Sequence, residues 1–282
     1  MPEHPSTYFV DDRSSADDLT RLQIQDQMVT QAMGGVLPEQ ADPPRFQRVL
    51  DVGCGTGGWL LEAARTYPSM SMLVGIDISG RMVTFARQQA VAHHLDDRVT
   101  FQVMDALRML EFPDRFFDLV NQRAGVSYLR TWEWPKVLQE YRRVTRPGGT
   151  VRISEGEWAP ESNSPALSAL FELLLHAFFQ AGHSFTLARD GVTSHLVSLL
   201  QQHDFHHVRS RLVPQEYRAG TPAGQRFVAA MELTFRMIRP FLNKWLRLPA
   251  DYEQQYQQAL EEMQRPDFVA RGTLLTVWGT VR

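Results

Sequence analysis

Acidic side chains that follow short apolar runs have the clearest chemical character in this sequence, and one of them lies beside a glycine-rich turn. Residues 48–59, RVLDVGCGTGGW, predict a short strand, a turn and the start of a helix. Asp51 stands just before Gly53, Gly55 and Gly57. Glycines permit backbone angles and close approach that a Cβ forbids, and the first amides of the helix point over the turn. This stretch predicts a cradle for a cofactor.

Two cofactor classes fit this turn. Gly53, Gly55 and Gly58 satisfy G-x-G-x-x-G, and Asp77 lies at about the spacing of the ribose-binding acid in a dinucleotide site. Asp51 favours another ligand, because an acid at the end of the strand would repel a pyrophosphate and suits a charged amino group. S-adenosylmethionine (SAM) has an ammonium and a sulfonium but no phosphate. A tight turn that binds no ligand is the third interpretation.

Further polar residues end the next predicted strands. Asp77 ends the strand 71–77, and its carboxylate can accept both ribose hydroxyls of an adenosine. Asp105 follows the strand 98–104 and can accept the amino group of adenine, with the amide of Ala106 near a ring nitrogen. Capping a turn or a helix is the alternative role for each acid. Neighbouring residues complete the candidate cofactor site: Ile78, Met82, Asn121 and Gln122.

The elements that must position these residues alternate between strand and helix. Strands are predicted at 47–52, 71–77, 98–104, 116–121 and 149–155, and helices at 57–67, 79–95 and 134–145. This alternation predicts an α/β fold with a parallel, doubly wound sheet. Ligands of such sheets bind beyond the carboxyl ends of the strands, so the acids and Asn121 should line one edge together with Glu155.

The two ends of the chain add other elements. A helix at 14–33 and a proline-rich linker precede the first strand, so residues 1–44 form a leader before a cofactor-binding core at 45–158. Residues 159–282 are expected to complete the sheet, with strands at 207–214 and 272–282. Helical segments at about 165–185 and 222–264, the latter broken at Pro240 and Pro249, are apolar. They predict either core packing or a lid over an apolar substrate.

Composition restricts the classes of protein. The chain has 282 residues and a formal charge of −3, so no basic excess indicates nucleic acid as a partner. The single cysteine, Cys54, forms no internal disulfide, and neither a signal peptide nor a membrane-spanning run is evident. No Cys/His spacing indicates a metal site. We expect a cytoplasmic protein, a monomer or homodimer, that acts on a small molecule.

Five motifs in order resemble the class I SAM-dependent methyltransferases. They are DVGCGTG at 51–57, GIDIS at 75–79, MDA at 104–106, FDLV at 117–120 and RPGG at 146–149. The resemblance covers about residues 45–158 and implies a seven-stranded Rossmann-like sheet with an antiparallel last strand. It also implies that the glycine turn, Asp51 and Asp77 hold SAM, and that Asp105 recognises adenine.

A second resemblance lies outside this core. Residues 8–25 are similar to the leader of a group of bacterial and fungal small-molecule methyltransferases, LaeA-like proteins among them, in which an R-L-x-x-Q helix precedes the SAM domain. This implies that Tyr8, Arg21 and Gln25 fold over SAM near its carboxylate. The chain departs from the commoner pattern by having Asp26 where many of those proteins carry histidine.

The implied reaction is methyl transfer from SAM to a small, partly apolar metabolite, with oxygen as the expected acceptor atom and S-adenosylhomocysteine as the product. A base is needed where the nucleophile arrives protonated, and Glu155, His183 and Tyr128 are the candidates, each with a structural role as the alternative. Three other functions stay open: methylation of nitrogen or carbon, an NAD-dependent oxidoreductase, and a SAM-binding regulator without catalysis.

Overall fold

The computed structural model of the protein describes residues 16–282. The helices are α1 (Ala16–Met33), α2 (Gly58–Thr66), α3 (Gly80–Ala92), α4 (Trp134–Val144), α5 (Pro165–Ala181), α6 (Thr193–Gln202), α7 (Pro222–Met237), α8 (Arg239–Trp245) and α9 (Tyr252–Met263). The strands are β1 (Arg48–Val52), β2 (Met72–Asp77), β3 (Val99–Val103), β4 (Phe117–Arg123), β5 (Thr145–Gly156), β6 (Glu161–Ser162), β7 (His206–Arg218) and β8 (Val269–Thr280).

The strands form one sheet in the order β3-β2-β1-β4-β5-β8-β6, with β7 paired to β8. Strands β1 to β5 are parallel, whereas β8 runs antiparallel to β5 and β7. The predicted doubly wound sheet with an antiparallel last strand is confirmed. The sheet has eight strands rather than seven, because the two-residue β6 pairs with Ala270 and Arg271 beyond the end of β5. A strand that short leaves no periodic pattern in a sequence.

The strand order reverses at β1, which has β2 on one side and β4 on the other. The connections from β1 and from β4 therefore leave the sheet in opposite directions and open a crevice between them. Ligands of open α/β sheets bind at this kind of position, outside the carboxyl ends of the strands. Asp51 lies in β1 one residue before its end, and Asp77 is the last residue of β2.

Local sequence signals set the ends of several helices. Ser79 Oγ accepts a hydrogen bond from Met82 N at 3.4 Å at the start of α3. Ser164 Oγ likewise accepts from Leu167 N at 3.0 Å at the start of α5. Such caps satisfy amides that have no partner within the helix. Helix α5 ends at Gly182, whose φ of +82° suits a residue without a Cβ.

Two hydrophobic clusters cover the two faces of the sheet. In β1, Val49 belongs to the cluster under α2 and α3, whereas Leu50 and Val52 face the cluster formed with α4 and α5. This alternation follows from the two-residue period of a strand that is buried on both faces. The second cluster continues into α7, α8 and α9, so the last third of the chain shares the main core.

Helices α7 to α9 lie between β7 and β8 in the sequence, as the insertion predicted at 222–264. Pro240 lies in the first turn of α8, where its missing amide costs no helical hydrogen bond. Helix α1 packs mainly against α7, α2 and β7. Within residues 16–282, no helix is both long enough and apolar enough to span a bilayer.

Candidate active site

A cavity of about 350 Å³ lies at the carboxyl ends of the strands. Its wall combines the glycine turn after β1, the ends of β2 and β5, and side chains from α1, α5 and α7. Segments far apart in the sequence thus meet around one space. Concave, largely apolar sites with a few convergent polar groups are the usual form of small-molecule sites.

The glycine turn approaches this cavity with its backbone. Gly55 has a φ of +52° and no atom within 4 Å of the position that a Cβ would take, so its open side forms part of the cavity wall. At Gly57 the missing Cβ serves packing rather than ligand binding. A Cβ on it would lie 2.6 Å from Phe101 Cζ, so glycine allows α2 to pack closely on the sheet, and Gly57 does not itself line the cavity.

Asp77 and Asp105 line the same end of the cavity and both also bind backbone amides. Asp77 Oδ2 accepts from Gly55 N at 3.0 Å, and Oδ1 accepts from Ser79 N at 2.8 Å. Asp105 Oδ1 accepts from Leu107 N at 2.9 Å. Each ionised carboxylate has about four acceptor positions, so both acids retain capacity for a ligand. Ala106, Ile78 and Met82 also line this end.

Asp51 is 3% exposed and receives a hydrogen bond from Asn121 Nδ2 at 2.7 Å. Burial raises its pKa to about 6, against the lowering effect of Arg123 and of the Asn121 amide. The carboxylate is therefore ionised at neutral pH although little water reaches it. A buried carboxylate on a cavity wall is well suited to bind a cation.

Helix α1 brings a charged face to the cavity. Arg21 is 3% exposed, pairs with Asp18 at 2.8 Å and donates to Gln25 Oε1 at 3.0 Å. Asp18 Oδ2 has no hydrogen-bond partner in the part of the chain that the structure describes. Arg21 and Gln25 were predicted at this site. Tyr8, the third predicted leader residue, lies outside the described residues.

Asp26 of α1 forms an ion pair with Arg123 at the end of β4. It also lies against Gly58 at the start of α2, where a Cβ on the glycine would clash with the Asp26 carboxylate. The acid noted as a departure in the sequence thus joins the leader helix to the core. Nothing in the local sequence indicates this pair, because its members are 97 residues apart.

Glu155 and Tyr128, two of the candidate bases, line the cavity. Glu155 is 1% exposed, and its Oε1 accepts from Gly125 N at 2.6 Å. Burial raises the pKa of Glu155 to about 8, although the amides of Gly125 and Val126 oppose the shift. Burial likewise raises the pKa of Tyr128 well above its usual value. Of the two, Glu155 alone titrates near neutral pH.

Three other predicted residues lie behind the cavity wall. Asn121 is fully buried between Asp51 and Arg152, and Gln122 Oε1 accepts from Tyr141 Oη at 2.5 Å. His183 is 1% exposed and its Nδ1 lies 3.0 Å from Leu129 O. The structure therefore brings Glu155 and Tyr128 together at the cavity and leaves His183 in the hydrophobic core.

Most of the residues at the end of the cavity opposite the glycine turn were not predicted individually from the sequence. That end is formed largely by apolar and aromatic side chains from the segment after β5 and from α5, β7 and α7: Trp158, Phe171, Leu174, Tyr217, Phe227 and Met231. Phe227 and Met231 were among the residues predicted for the lid. Phe171 and Leu174 lie in the other predicted lid segment, 165–185. Trp158 and Tyr217 gave no signal, because a residue that lines a cavity and one that fills a core have the same apolar pattern.

Acidic side chains outnumber basic ones around the cavity. Among the described residues, seven acidic side chains and two guanidiniums line it: Asp18, Asp26, Asp51, Asp77, Asp105, Glu155 and Glu157, with Arg21 and Arg123. Glu155, with its pKa of about 8, is mostly neutral at neutral pH, so six carboxylates carry the negative charge. Each of the two guanidiniums is paired with an acid of α1. A cleft lined by one sign of charge concentrates ligands of the opposite sign, so this cavity favours a cation.

Comparison with known proteins matches the segment that contains the glycine turn and strands β2 to β4. Residues 49–149 match the family model of a methyltransferase domain. The chain is 32% identical over 139 residues to 27-O-demethylrifamycin SV methyltransferase of Amycolatopsis mediterranei, covering 49% of this chain and 48% of that protein. It is 40% identical over 113 residues to ajmaline N-methyltransferase of Rauvolfia serpentina, covering 40% of this chain and 37% of that one. The chain spans about half the length, or less, of these relatives.

The fold is also found in solved structures. Phosphoethanolamine N-methyltransferase 2 of Haemonchus contortus superposes with a TM-score of 0.57 and 19% identity, over 100% of this chain and 62% of that one. At this identity the likeness concerns the fold. Together with the matched family model, it shows that residues 49–149 form a methyltransferase domain and that the chain has a Rossmann-like methyltransferase fold.

Proposed function

We propose that the protein transfers a methyl group from SAM to an oxygen atom of a small, partly apolar acceptor. One observation carries this proposal: a single cavity joins an acidic, glycine-lined end to an aromatic end, with Glu155 in its wall. The domain match and the methyltransferase relatives support the reaction class. The structures of related fold that contain SAM or S-adenosylhomocysteine support the cofactor.

The residues of the acidic end fit SAM. The open side of Gly55 leaves room for a ligand against the backbone. The carboxylates around it match a ligand with an ammonium and a sulfonium. The two guanidiniums of the described lining, Arg21 and Arg123, are already paired with acids of α1, so little positive charge remains to neutralise a pyrophosphate. The same charges argue against NAD, the alternative that the glycine spacing left open.

Each group of SAM has residues suited to hold it. We assign the ammonium to Asp51, the ribose hydroxyls to Asp77 and the adenine amino group to Asp105, with Ala106, Ile78 and Met82 around the ring. Arg21 and Gln25 are assigned to the carboxylate of SAM. Arg21 already pairs with Asp18, so this assignment has the guanidinium shared between two carboxylates. Gly53, Gly55 and Gly57 shape the turn.

The aromatic end is assigned to the acceptor. Trp158, Phe171 and Phe227 line it, and Met231 extends it along α7. Burial of apolar surface there would provide most of the binding energy, at about 25 cal/mol per Å². Helices α1 and α7 would exclude water from the reacting atoms, which strengthens the electrostatic interactions inside the cavity.

SAM supplies a methyl group that is already activated by its positive sulfur. The protein therefore has to position the acceptor and to receive its proton. Glu155 is proposed as the group that receives this proton, because its pKa of about 8 lies near the pH at which the enzyme would work. Tyr128, which lies against Gly53, would orient the reacting oxygen. His183 is dropped from the proposed catalytic set because it is packed away from the cavity.

The oxygen preference has two supports. A carboxyl base is of most use to a hydroxyl or phenol, which must lose its proton to react. The rifamycin relative carries in its name an acceptor that lacks a methyl group on oxygen. The names of other relatives include nitrogen and carbon methylation. Turnover of an amine or of a carbon acid in place of hydroxyl compounds would therefore replace the oxygen assignment and leave the SAM assignment standing.

Calorimetry with SAM, S-adenosylhomocysteine and NAD tests the cofactor, and turnover of a metabolite panel tests the reaction. We expect both adenosyl compounds to bind and NAD not to bind. Micromolar NAD binding without SAM binding would overturn the proposal. SAM binding with no methyl transfer to any acceptor class would support the regulator instead. In the active enzyme, Glu155→Gln should lower kcat strongly and leave the Kd of SAM nearly unchanged.

A further inference from the structure

We propose that Glu39 and Arg152 are positioning residues for Asp51: acting through Asn121, they keep the Asp51 carboxylate charged and aimed at the ammonium of the cofactor. Neither residue lines the cavity. The inference rests on the function proposed above for its link to SAM. The charge state of Asp51 can be measured without any cofactor.

The residues form a continuous line of contacts beneath the cavity. Arg152 Nε donates to Glu39 Oε1 at 2.8 Å, and Arg152 Nη1 donates to Asn121 Oδ1 at 2.7 Å. Asn121 Nδ2 then donates to Asp51 Oδ1 at 2.7 Å. The side chains of Glu39 and Arg152 are 1% and 0% exposed, and Asn121 is 0% exposed. Three strands and the linker before β1 are joined in this way.

The hydrogen bonds run in one direction, from Arg152 through Asn121 to Asp51, because arginine only donates hydrogen bonds. The oxygen of the Asn121 amide must therefore face Arg152, and its NH₂ group must face Asp51. A rotated amide would place NH₂ against the guanidinium and oxygen against the carboxylate, which are two repulsive contacts. Arg152 thus holds Asn121 in the only orientation that stabilises an ionised Asp51.

The charge of Arg152 is balanced inside the protein. Burial opposes the ionised form of Glu39, but the charge and hydrogen bonds of Arg152 lower the pKa of Glu39 below its usual value. The pair is therefore ionised and close to neutral as a unit. The Asn121 amide can then donate to Asp51 while the guanidinium charge stays available to Glu39.

Several other charged or titratable groups act on Asp51. Arg123 lowers the pKa of Asp51 and Asp26 raises it, while the charge of Asp51 in turn raises the pKa values of Cys54, Tyr128 and Tyr141. Burial is the largest influence and raises the pKa to about 6. Replacing Arg152 removes its charge and the hydrogen bond that keeps the Asn121 NH₂ group facing Asp51, so the pKa of Asp51 should rise further, by about one unit.

A structural role alone explains the pair poorly. Two charges buried at this depth lose their hydration, and well-packed apolar residues often give equal or greater stability. The pair would therefore be an expensive way to attach the linker to the sheet. Its position under the one acid assigned to the ammonium gives it a use that apolar residues cannot supply.

The test compares wild type with the double variant Glu39→Gln/Arg152→Met, which avoids leaving one buried charge alone. Carbon NMR of ¹³C-aspartate-labelled protein, with Asp51→Asn for assignment, gives the pKa of Asp51 without cofactor. We expect about 6 in wild type and about 7 in the double variant. The Kd of S-adenosylhomocysteine should then rise about fivefold at pH 6 and change little at pH 8.

Two further variants separate positioning from stability. Arg152→Lys keeps a cation that donates to both neighbours, so the pKa of Asp51 should stay near the wild-type value. Arg143→Met breaks a partly buried ion pair with Glu140 away from the cavity, and it should leave the pH profile of binding unchanged. Should the double variant fail to fold, Arg152→Lys against Asn121→Leu gives the same comparison.

The outcomes are distinct. An unchanged pKa of Asp51 in the folded double variant, or a loss of affinity of equal size at pH 6 and pH 8, would overturn the positioning role. Failure of the wild type to bind S-adenosylhomocysteine or SAM at any pH would overturn the proposed function instead. In that case the NMR titration would still decide whether Glu39 and Arg152 control the ionisation of Asp51.

Discussion

The two ends of the cavity are built in different ways. The acidic end comes mainly from consecutive strand–turn segments, from the glycine turn after β1 to Asp105 after β3, with Arg21 and Gln25 of α1 beside them. The aromatic end combines α1, the segment after β5, α5, β7 and α7, which extend from Ala16 to Met237. The first is carried by the ends of buried strands, and the second by helices laid over them. We therefore expect the two ends to differ in stability and in how well they can be predicted from the sequence.

The contacts of the helices at the surface show this difference. Helix α1 meets α7 through an ion pair between Asp17 and Arg236 and a hydrogen bond from Arg226 to Gln31. The side chains of Asp17 and Arg236 are 49% and 48% exposed, and exposed pairs contribute only about 0–1 kcal/mol. The acidic end rests instead on strand pairing. We therefore expect the helical wall to open more readily than the glycine turn.

Deletion of residues 1–33 should have the largest effect, because it removes α1 from the wall of both ends. We expect the sheet to stay folded, since α1 packs mainly on α2, α7 and β7. Turnover should be abolished and SAM retained more weakly, because Arg21 and Gln25 are lost. Circular dichroism checks the fold, a turnover assay measures activity, and calorimetry measures the Kd of SAM. Full activity in the truncated protein would remove Tyr8, Arg21 and Gln25 from the site.

Glu155, in the cavity wall, should make stability depend on pH. Its pKa rises from 4.5 to about 8 on folding, so the folded state holds the proton more tightly. Its contribution to the free energy of unfolding is then greatest at low pH and declines as pH rises toward 8. In Glu155→Gln this decline should vanish, a difference of about 2–3 kcal/mol between pH 6 and pH 8. Urea unfolding at both pH values measures it. Parallel curves for the two proteins would contradict the raised pKa.

Asp77→Ala tests the acidic end alone. Loss of a charge-assisted acceptor of two ribose hydroxyls should cost about 1.5–3 kcal/mol, or roughly tenfold to a hundredfold in the Kd of SAM. Because Asp77 also binds the amides of Gly55 and Ser79, Asp77→Asn is the control that keeps one acceptor. A change below twofold in a folded Asp77→Ala protein would reduce Asp77 to a cap of the turn.

The difference between the two ends of the cavity explains which parts of the site could be predicted from the sequence. The strands, the glycine turn and the acids after β1, β2 and β3 are local features, so period and spacing reveal them. Asp26 with Arg123, and Glu39 with Arg152, are pairs formed across 97 and 113 residues. No local pattern indicates such pairs, because only the completed fold brings their members together.

His183 shows the opposite case, a residue predicted for the site that the fold places in the core. It follows Gly182 at the end of α5 and was a candidate base, yet it packs between Phe178 and Phe241. A polar residue on an apolar segment can belong to a functional site, or it can be buried in the core with its hydrogen bonds satisfied. For His183 this depends on how α5 packs against α8, and that packing is a property of the tertiary structure.

The smallest effect should come from Met231→Ala, which probes the aromatic end alone. Met231 lines the cavity from α7, whereas Met237, at the end of the same helix, packs against the core without lining it. Loss of apolar contact with the acceptor should cost about 1 kcal/mol, or about fivefold in its KM. Met237→Ala is the matched control: it removes the same atoms from the same helix and should affect stability but leave KM unchanged.

The Kd of SAM should stay constant in both variants, because the acidic end does not depend on the side chains of α7. A parallel loss of SAM affinity in Met231→Ala would show that the two ends of the cavity act as one unit.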